Sequence, residues 1–187
     1  MRSMTALAAL AAIALSWSSA SADATSSPTM PSVGSTAPEA VLQSVIGGKV
    51  ESFDLLASAK TGPIVLYFFP KAFTSGCTIE ARVFGQKLAD FAKLGYTVVG
   101  VSADDIPTLT KFAAAESAGQ RFVSDPTGKL INAFGIANQY QGGLYASRVT
   151  FVIGTDGTIK VAVVDDVPQS NISTTMAWVQ QHPMTTK

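Results

Sequence analysis

The sequence predicts an α/β fold: a mixed central sheet with helices on both faces and a β-hairpin at its N-terminal end. Two runs rich in β-branched and aromatic residues, 64–69 and 96–101, are too short for helices and flank a segment of helical spacing. That order reads as a β-α-β crossover with parallel strands. Further on, Asp156-Gly157 separates two β-rich runs, 148–153 and 158–164, and marks an antiparallel hairpin. The composition supports one such domain: of 187 residues, 47% are hydrophobic and 14% charged, which is ample material for a single buried core.

Residues 1–22 read as a signal peptide rather than as part of the fold. Arg2 gives a positive start, an apolar run follows from Met4 to Leu15, and Ala20-Ser21-Ala22 is a small-residue cleavage site. The run falls short of the roughly 20 apolar residues that a membrane span needs. The mature chain is therefore expected to be exported, periplasmic or secreted, without a stable membrane span. Residues 23–36, rich in Ser, Thr, Ala and Pro and lacking periodicity, read as a flexible linker, and the folded domain is expected over 37–187.

Within the domain, 40–45 and 50–53 form the hairpin, since Gly47-Gly48 between them allows the positive φ of a tight turn. The run 64–69, closed by Pro70, is a fully buried central strand. From Thr78 the spacing of Phe84, Leu88 and Phe91 is helical, and Gly95 ends the helix. After the strand at 96–101, a helix over 106–117 carries Leu109, Phe112 and Ala113 on one face. A short strand at 122–124 and a short helix at 130–134 precede the hairpin. A last helix over 171–181, with Ile172, Met176 and Val179 in register, closes the domain.

Several classes of function are excluded. Thirteen basic residues balance thirteen acidic ones and no basic stripe appears, which argues against nucleic acid as a partner, because phosphate must be neutralised by clustered Lys and Arg. A single cysteine permits no intramolecular disulfide, no C-x-x-C pair and no Cys-rich zinc site. His182, the one histidine, reads as a solvent-facing residue near a helix end, and Asp165-Asp166 as a loop acid pair. No metal or other cofactor is expected. Asn171-Ile172-Ser173 matches a glycosylation sequon, read as a chance match.

The chemistry concentrates in Pro70-Lys71-Ala72-Phe73-Thr74-Ser75-Gly76-Cys77-Thr78-Ile79-Glu80. Cys77 falls between the exit loop of a buried strand and the start of a helix, where unpaired N–H groups and the helix dipole favour a thiolate. Ionisation alone has a ceiling: a free thiol of pKa ~8.5 is about 3% ionised at pH 7, so complete ionisation multiplies the reactive form by only about 30. Larger acceleration must come from groups that align and polarise the substrate.

Pro-x-x-x-Thr-x-x-Cys, here Pro70, Thr74 and Cys77, resembles the active-site motif of the peroxiredoxins. The surrounding Tyr67-Phe68-Phe69-Pro70-Lys71 and Gly76-Cys77-Thr78-Ile79-Glu80-Ala81 are similar to the bacterioferritin-comigratory, or peroxiredoxin Q, branch of the AhpC/TSA superfamily. So are Gly34 to Pro38, Val101-Ser102-Ala103-Asp104, Ser124-Asp125 and Arg148-Val149-Thr150-Phe151-Val152-Ile153. The resemblance spans most of 34–181. It implies a thioredoxin-like fold and reduction of hydrogen peroxide or organic hydroperoxides by a peroxidatic cysteine. Carried over by position, Cys77 attacks the peroxide and becomes a sulfenic acid. Thr74 orients the peroxide, Arg148 supplies fixed positive charge beside sulfur and leaving oxygen, Pro70 shields the thiolate, and Glu80 orients Arg148.

One position departs from the branch. Its members often carry a resolving cysteine five residues after the first, where this chain has Arg82. The expectation is a one-cysteine peroxidase regenerated by an external thiol, either a thioredoxin-like protein or a small thiol, as monomer or homodimer. Two alternatives stand beside it: a peroxide sensor that passes oxidation to a partner, and a catalytically silent thioredoxin-fold binding module.

Overall fold

The computed structural model describes residues 29–116 and 118–184; the signal peptide expected at 1–22 and the first residues of the expected linker lie outside them. The chain runs through β1 (Val41–Ile46), β2 (Lys49–Asp54), α1 (Leu55–Thr61), β3 (Ile64–Phe68), α2 (Ser75–Lys93) and β4 (Thr97–Ser102). It continues through α3 (Ile106–Ala115), β5 (Arg121–Ser124), α4 (Lys129–Ala133), β6 (Ala137–Tyr140), β7 (Gly143–Ala146), β8 (Val149–Ile153), β9 (Ile159–Val164) and α5 (Pro168–Gln181). Seven strands form one sheet in the order β2-β1-β5-β4-β3-β8-β9, and β6 and β7 form a separate hairpin. β4 pairs parallel with both β3 and β5, while β8 runs antiparallel to β3 and β9, so the sheet is mixed as the sequence predicts.

All five residues of β3 are buried, because both faces of the sheet are covered. Strand alternation divides them. Ile64, Leu66 and Phe68 join Leu55, Leu130, Phe134 and Phe151 on the face covered by α1 and α4. Val65 and Tyr67 face the other way, joining Phe84 and Phe91 of α2, Leu109 and Phe112 of α3, and Ile172, Met176 and Val179 of α5. Burying each large apolar side chain stabilises the fold by about 1.5–3 kcal/mol, so the two clusters fix where β3 ends and hence where the loop at Pro70 emerges.

The differences from the sequence reading have local causes. The linker stops short of residue 36: Gly34 N–H donates to the Ile159 carbonyl at 2.8 Å, and Ile159 N–H donates to Ser35 at 2.9 Å, so these residues are tied to the start of β9. Helix α2 begins at Ser75, three residues earlier than its apolar periodicity shows, which puts Cys77 inside the first turn. α1 was not foreseen; it is seven residues long, buries only Leu55 and Ala59, and is started by the Asp54 carboxylate accepting from Ala57 N–H at 2.9 Å. The β6–β7 hairpin was likewise not foreseen. Asn171 is fully buried, with Thr150 Oγ1 donating to its Oδ1 at 2.6 Å, so the sequon is closed to glycosylation in the folded chain. No helix among the described residues is long and apolar enough to cross a membrane.

Candidate active site

β3 and β4 deliver the reactive segment at one end of the sheet. Phe69 N–H donates to the Val101 carbonyl at 3.0 Å, and the chain then leaves the sheet at Pro70. The loop passes through Phe73, a bulky residue held at φ +64, whose exposed ring makes a T-shaped contact with Phe112 at 5.2 Å. Thr74 is the N-cap of α2, but its hydroxyl donates backward to the Lys71 carbonyl at 2.9 Å instead of capping the helix. The first-turn N–H groups of α2 therefore keep no side-chain cap, and the positive end of the helix dipole lies at Cys77.

Cys77 is 2% exposed, set among Tyr67, Phe69, Ala81, Phe84 and Ile172. Arg148, placed by the start of β8 directly after Ser147, reaches its sulfur: Nη2 lies 3.5 Å from Cys77 Sγ. Its Nη1 is ion-paired with Glu80 Oε2, and its Nε donates to the Asp166 carbonyl at 3.1 Å. Three partners in different directions leave the planar guanidinium one orientation. Gly76 makes room for it, since a Cβ at that position would stand 3.2 Å from Nη2. Glu80 lies one helical turn after Cys77 and is fully buried. Burial pushes its carboxyl up to about 8, against the pull of Arg148. Burial works against the charge on Arg148 as well, but Glu80 and the contact with Cys77 offset this and hold the guanidinium above its ordinary value.

The five residues singled out from sequence thus gather at one end of the sheet. Arg148 is in direct contact with both Cys77 and Glu80, Thr74 stands at the N-cap position of the helix that carries Cys77, and Pro70 shares with Arg148 the wall of a cavity of ≈ 410 Å³. The cavity is completed by Tyr140, Tyr145 and Ala146 from the β6–β7 hairpin, with Asn138 and Asp166. No element is expected from the sequence between the short helix at 130–134 and the run at 148–153. The two-residue turn is Gln141-Gly142, at φ +49 and +75, and Gly142 is the one signal of it that the sequence carries. The contribution of the Asp166 main-chain carbonyl had no signal in its side chain. Arg82, at the position where the branch often has cysteine, points away from the cluster and pairs with Glu116. His182 is remote from it, stacked on Trp178 at 4.1 Å.

The arrangement places a buried sulfur between a helix N-terminus and a guanidinium, with a cavity reaching that guanidinium: it can hold an anion at sulfur and stabilise negative charge developing on an atom beside it. The AhpC/TSA family model matches residues 33–162. Peroxiredoxin Bcp of Escherichia coli strain K12 is 32% identical over 124 residues, 64% of this chain and 79% of that protein. The crystal structure of peroxidoxin BcpB from Mycobacterium tuberculosis superposes with a TM-score of 0.73 at 28% identity, over 80% of this chain and 96% of the other. That of the Xanthomonas campestris bacterioferritin comigratory protein, described for its alkyl peroxide reduction activity, gives 0.69 at 26% identity, over 78% and 92%.

Proposed function

The chain belongs to the AhpC/TSA family, in its Bcp and peroxiredoxin Q branch, and on that footing we propose that it is a one-cysteine peroxidase of exported space, acting on hydrogen peroxide and alkyl hydroperoxides. That it is a peroxiredoxin, a thiol-dependent peroxidase with a thioredoxin-like fold, follows from the family itself. The finer reading rests on one observation above all: Arg148 Nη2 at 3.5 Å from Cys77 Sγ, with Glu80 fixing the same guanidinium from the other side.

In the first step the Cys77 thiolate attacks the peroxide oxygen that bears hydrogen. The S–O bond forms as the O–O bond breaks, sulfur loses two electrons, and the leaving alkoxide or hydroxide takes a proton to become alcohol or water. Arg148 stabilises the sulfur anion before the step and the leaving oxygen during it, which is where fixed charge acts on the transition state. Thr74 accepts the peroxide O–H, and Pro70 closes the site against water. The sulfenic acid is then attacked by an external thiol, releasing water and forming a mixed disulfide that a second thiol reduces. Cys77 is the sole cysteine of the sequence, which supports reduction from outside the chain. The Tyr140 and Tyr145 walls of the cavity suit an alkyl group on the peroxide.

Reduced protein lacking residues 1–22 is expected to consume hydrogen peroxide in stoichiometry with Cys77, to gain one oxygen in intact mass, and to turn over only with added thiol. A Cys77→Ser protein that consumed peroxide equally would remove the proposal. Export is supported by Arg2, the run from Met4 to Leu15 and Ala20-Ser21-Ala22; N-terminal sequencing of the secreted product is expected to begin at Asp23.

A further inference from the structure

The peptide unit that joins Lys71 to Ala72 is gripped from both sides. Its N–H, on Ala72, donates to Asp104 Oδ2 at 2.7 Å. Its C=O, on Lys71, accepts from Thr74 Oγ1 at 2.9 Å. Asp104 is in turn fixed to the sheet: Ser102 Oγ donates to the same Oδ2 at 2.9 Å and accepts the Asp104 N–H at 3.2 Å, while Ser124 Oγ donates to the Asp104 carbonyl at 2.8 Å. Ser102 and Ser124 are buried residues at the ends of β4 and β5. The strained backbone at Phe73, φ +64, lies between the two grips. Such a conformation persists only where its surroundings over-determine it.

The consequence falls on a hydroxyl. A threonine has one proton to donate and two lone pairs with which to accept. With that proton committed to the Lys71 carbonyl, Thr74 Oγ1 meets an incoming peroxide as an acceptor. Asp104 sustains this commitment: an acceptor on the N–H side of a peptide polarises it and strengthens its carbonyl as the next acceptor in the chain. We propose that Asp104 is a positioning residue for the peroxide reaction, holding the Lys71–Ala72 peptide so that Thr74 presents lone pairs, not its proton, to the substrate. This rests on the peroxidase reading given above, and it assigns the polarity of Thr74 to a carboxylate 32 residues away from the peptide it holds.

The test is single-turnover oxidation of reduced Cys77 by hydrogen peroxide, without reductant, in the wild type, Asp104→Ala, Asp104→Asn, Thr74→Val and the two double variants. Asp104→Ala is expected to slow oxidation about tenfold, the scale of a small misplacement of an orienting group. Asp104→Asn, which keeps an acceptor for Ala72 N–H, is expected to recover most of that rate. In the Thr74→Val background neither substitution should have a further effect, because the group through which Asp104 acts is already gone. Alkylation of Cys77 by iodoacetamide, which uses no Thr74 hydrogen bond, should stay at the wild-type rate. Where Asp104→Ala does not fold, the cycle is read from Asp104→Asn, whose smaller slowing must vanish in the same background. An Asp104 effect of equal size with and without Thr74, a parallel loss in alkylation, or wild-type peroxide rates in both variants would overturn the inference. A wild-type protein inert to peroxide would instead indict the peroxidase reading.

Discussion

Helix α2 carries two glutamate–arginine pairs only two residues apart, and they behave as different objects. Glu80 pairs inward with Arg148, the side chains 0% and 8% exposed; Arg82 pairs outward with Glu116, the side chains 58% and 6% exposed, so only its arginine lies in solvent. Two positions along a helix turn the side chain through more than half a revolution, so one pair enters the core and the other keeps its arginine in water. With the guanidinium in water the attraction is partly screened. In the core neither group can exchange its partner for solvent, and Arg148 is spanned by Glu80, Cys77 and the Asp166 carbonyl together. An Arg–Glu pair therefore announces no role by its residue types; the buried third partner, here a sulfur, is what converts one of these two pairs into chemistry.

Removing Arg148 should break the contrast most severely. Arg148→Met is expected to slow oxidation of Cys77 by hydrogen peroxide by about 10²–10³-fold, the usual loss when a donor aimed at developing charge is deleted. Arg148→Lys should recover only part of this, because one ammonium cannot match the guanidinium fork that spans carboxylate, sulfur and carbonyl. Rapid mixing followed by intact mass measures both. Oxidation of Arg148→Met at the wild-type rate would make the inner pair as silent as the outer one.

Glu80 sharpens the same contrast through pH. Its folded carboxyl lies near 8 against an ordinary 4.5, chiefly through burial, so the folded chain holds this proton more tightly than the unfolded chain. The resulting stabilisation is fully present below the unfolded value and is lost as pH climbs through the folded one. Wild-type urea midpoints should therefore fall between about pH 4.5 and about pH 8, and Glu80→Gln, having no proton to lose, should flatten that part of the profile. Gln keeps an acceptor for Arg148, and a carboxyl near 8 is mostly protonated at pH 7, so peroxide oxidation at that pH should slow by no more than about threefold. A Glu80→Gln profile that falls as steeply as the wild type would show that this carboxyl is not the group being titrated.

The legibility of these features in the sequence follows burial. β3, both β8–β9 strands and the interior face of α2 are written in apolar runs or in helical spacing, and Asp156-Gly157 marks its turn; all were readable. The first turn of α2 was missed because Ser75 and Gly76 are not apolar, so the periodicity starts only after the helix has begun. α1 buries two residues and β6 none, which leaves no period to detect. In the site, Pro70, Thr74, Cys77, Glu80 and Arg148 were legible through a motif resemblance, whereas the Asp104 grip on Ala72 and the Asp166 carbonyl under Arg148 were not. Both use main-chain groups, which every residue possesses, so no choice of side chain at Ala72 or Asp166 records the contact.

The smallest effect is reserved for the outer pair, and it is the one that tests whether burial is the deciding variable. Arg82→Ala removes the tie between α2 and the end of α3, where Glu116 is the C-cap. The Arg82 guanidinium is largely in solvent while the Glu116 side chain is 6% exposed, so losing the pair should cost about 1 kcal/mol, of which added salt should remove a part. Urea unfolding at low and high salt should therefore separate Arg82→Ala from the wild type only slightly, and less in salt. Its peroxide oxidation should stay within about twofold of the wild type, because the screened charge lies outside the buried cluster. A loss for Arg82→Ala comparable to that of Arg148→Met would mean that positive charge anywhere near the start of α2 serves Cys77. The buried contact at 3.5 Å would then have no privileged part in the reaction.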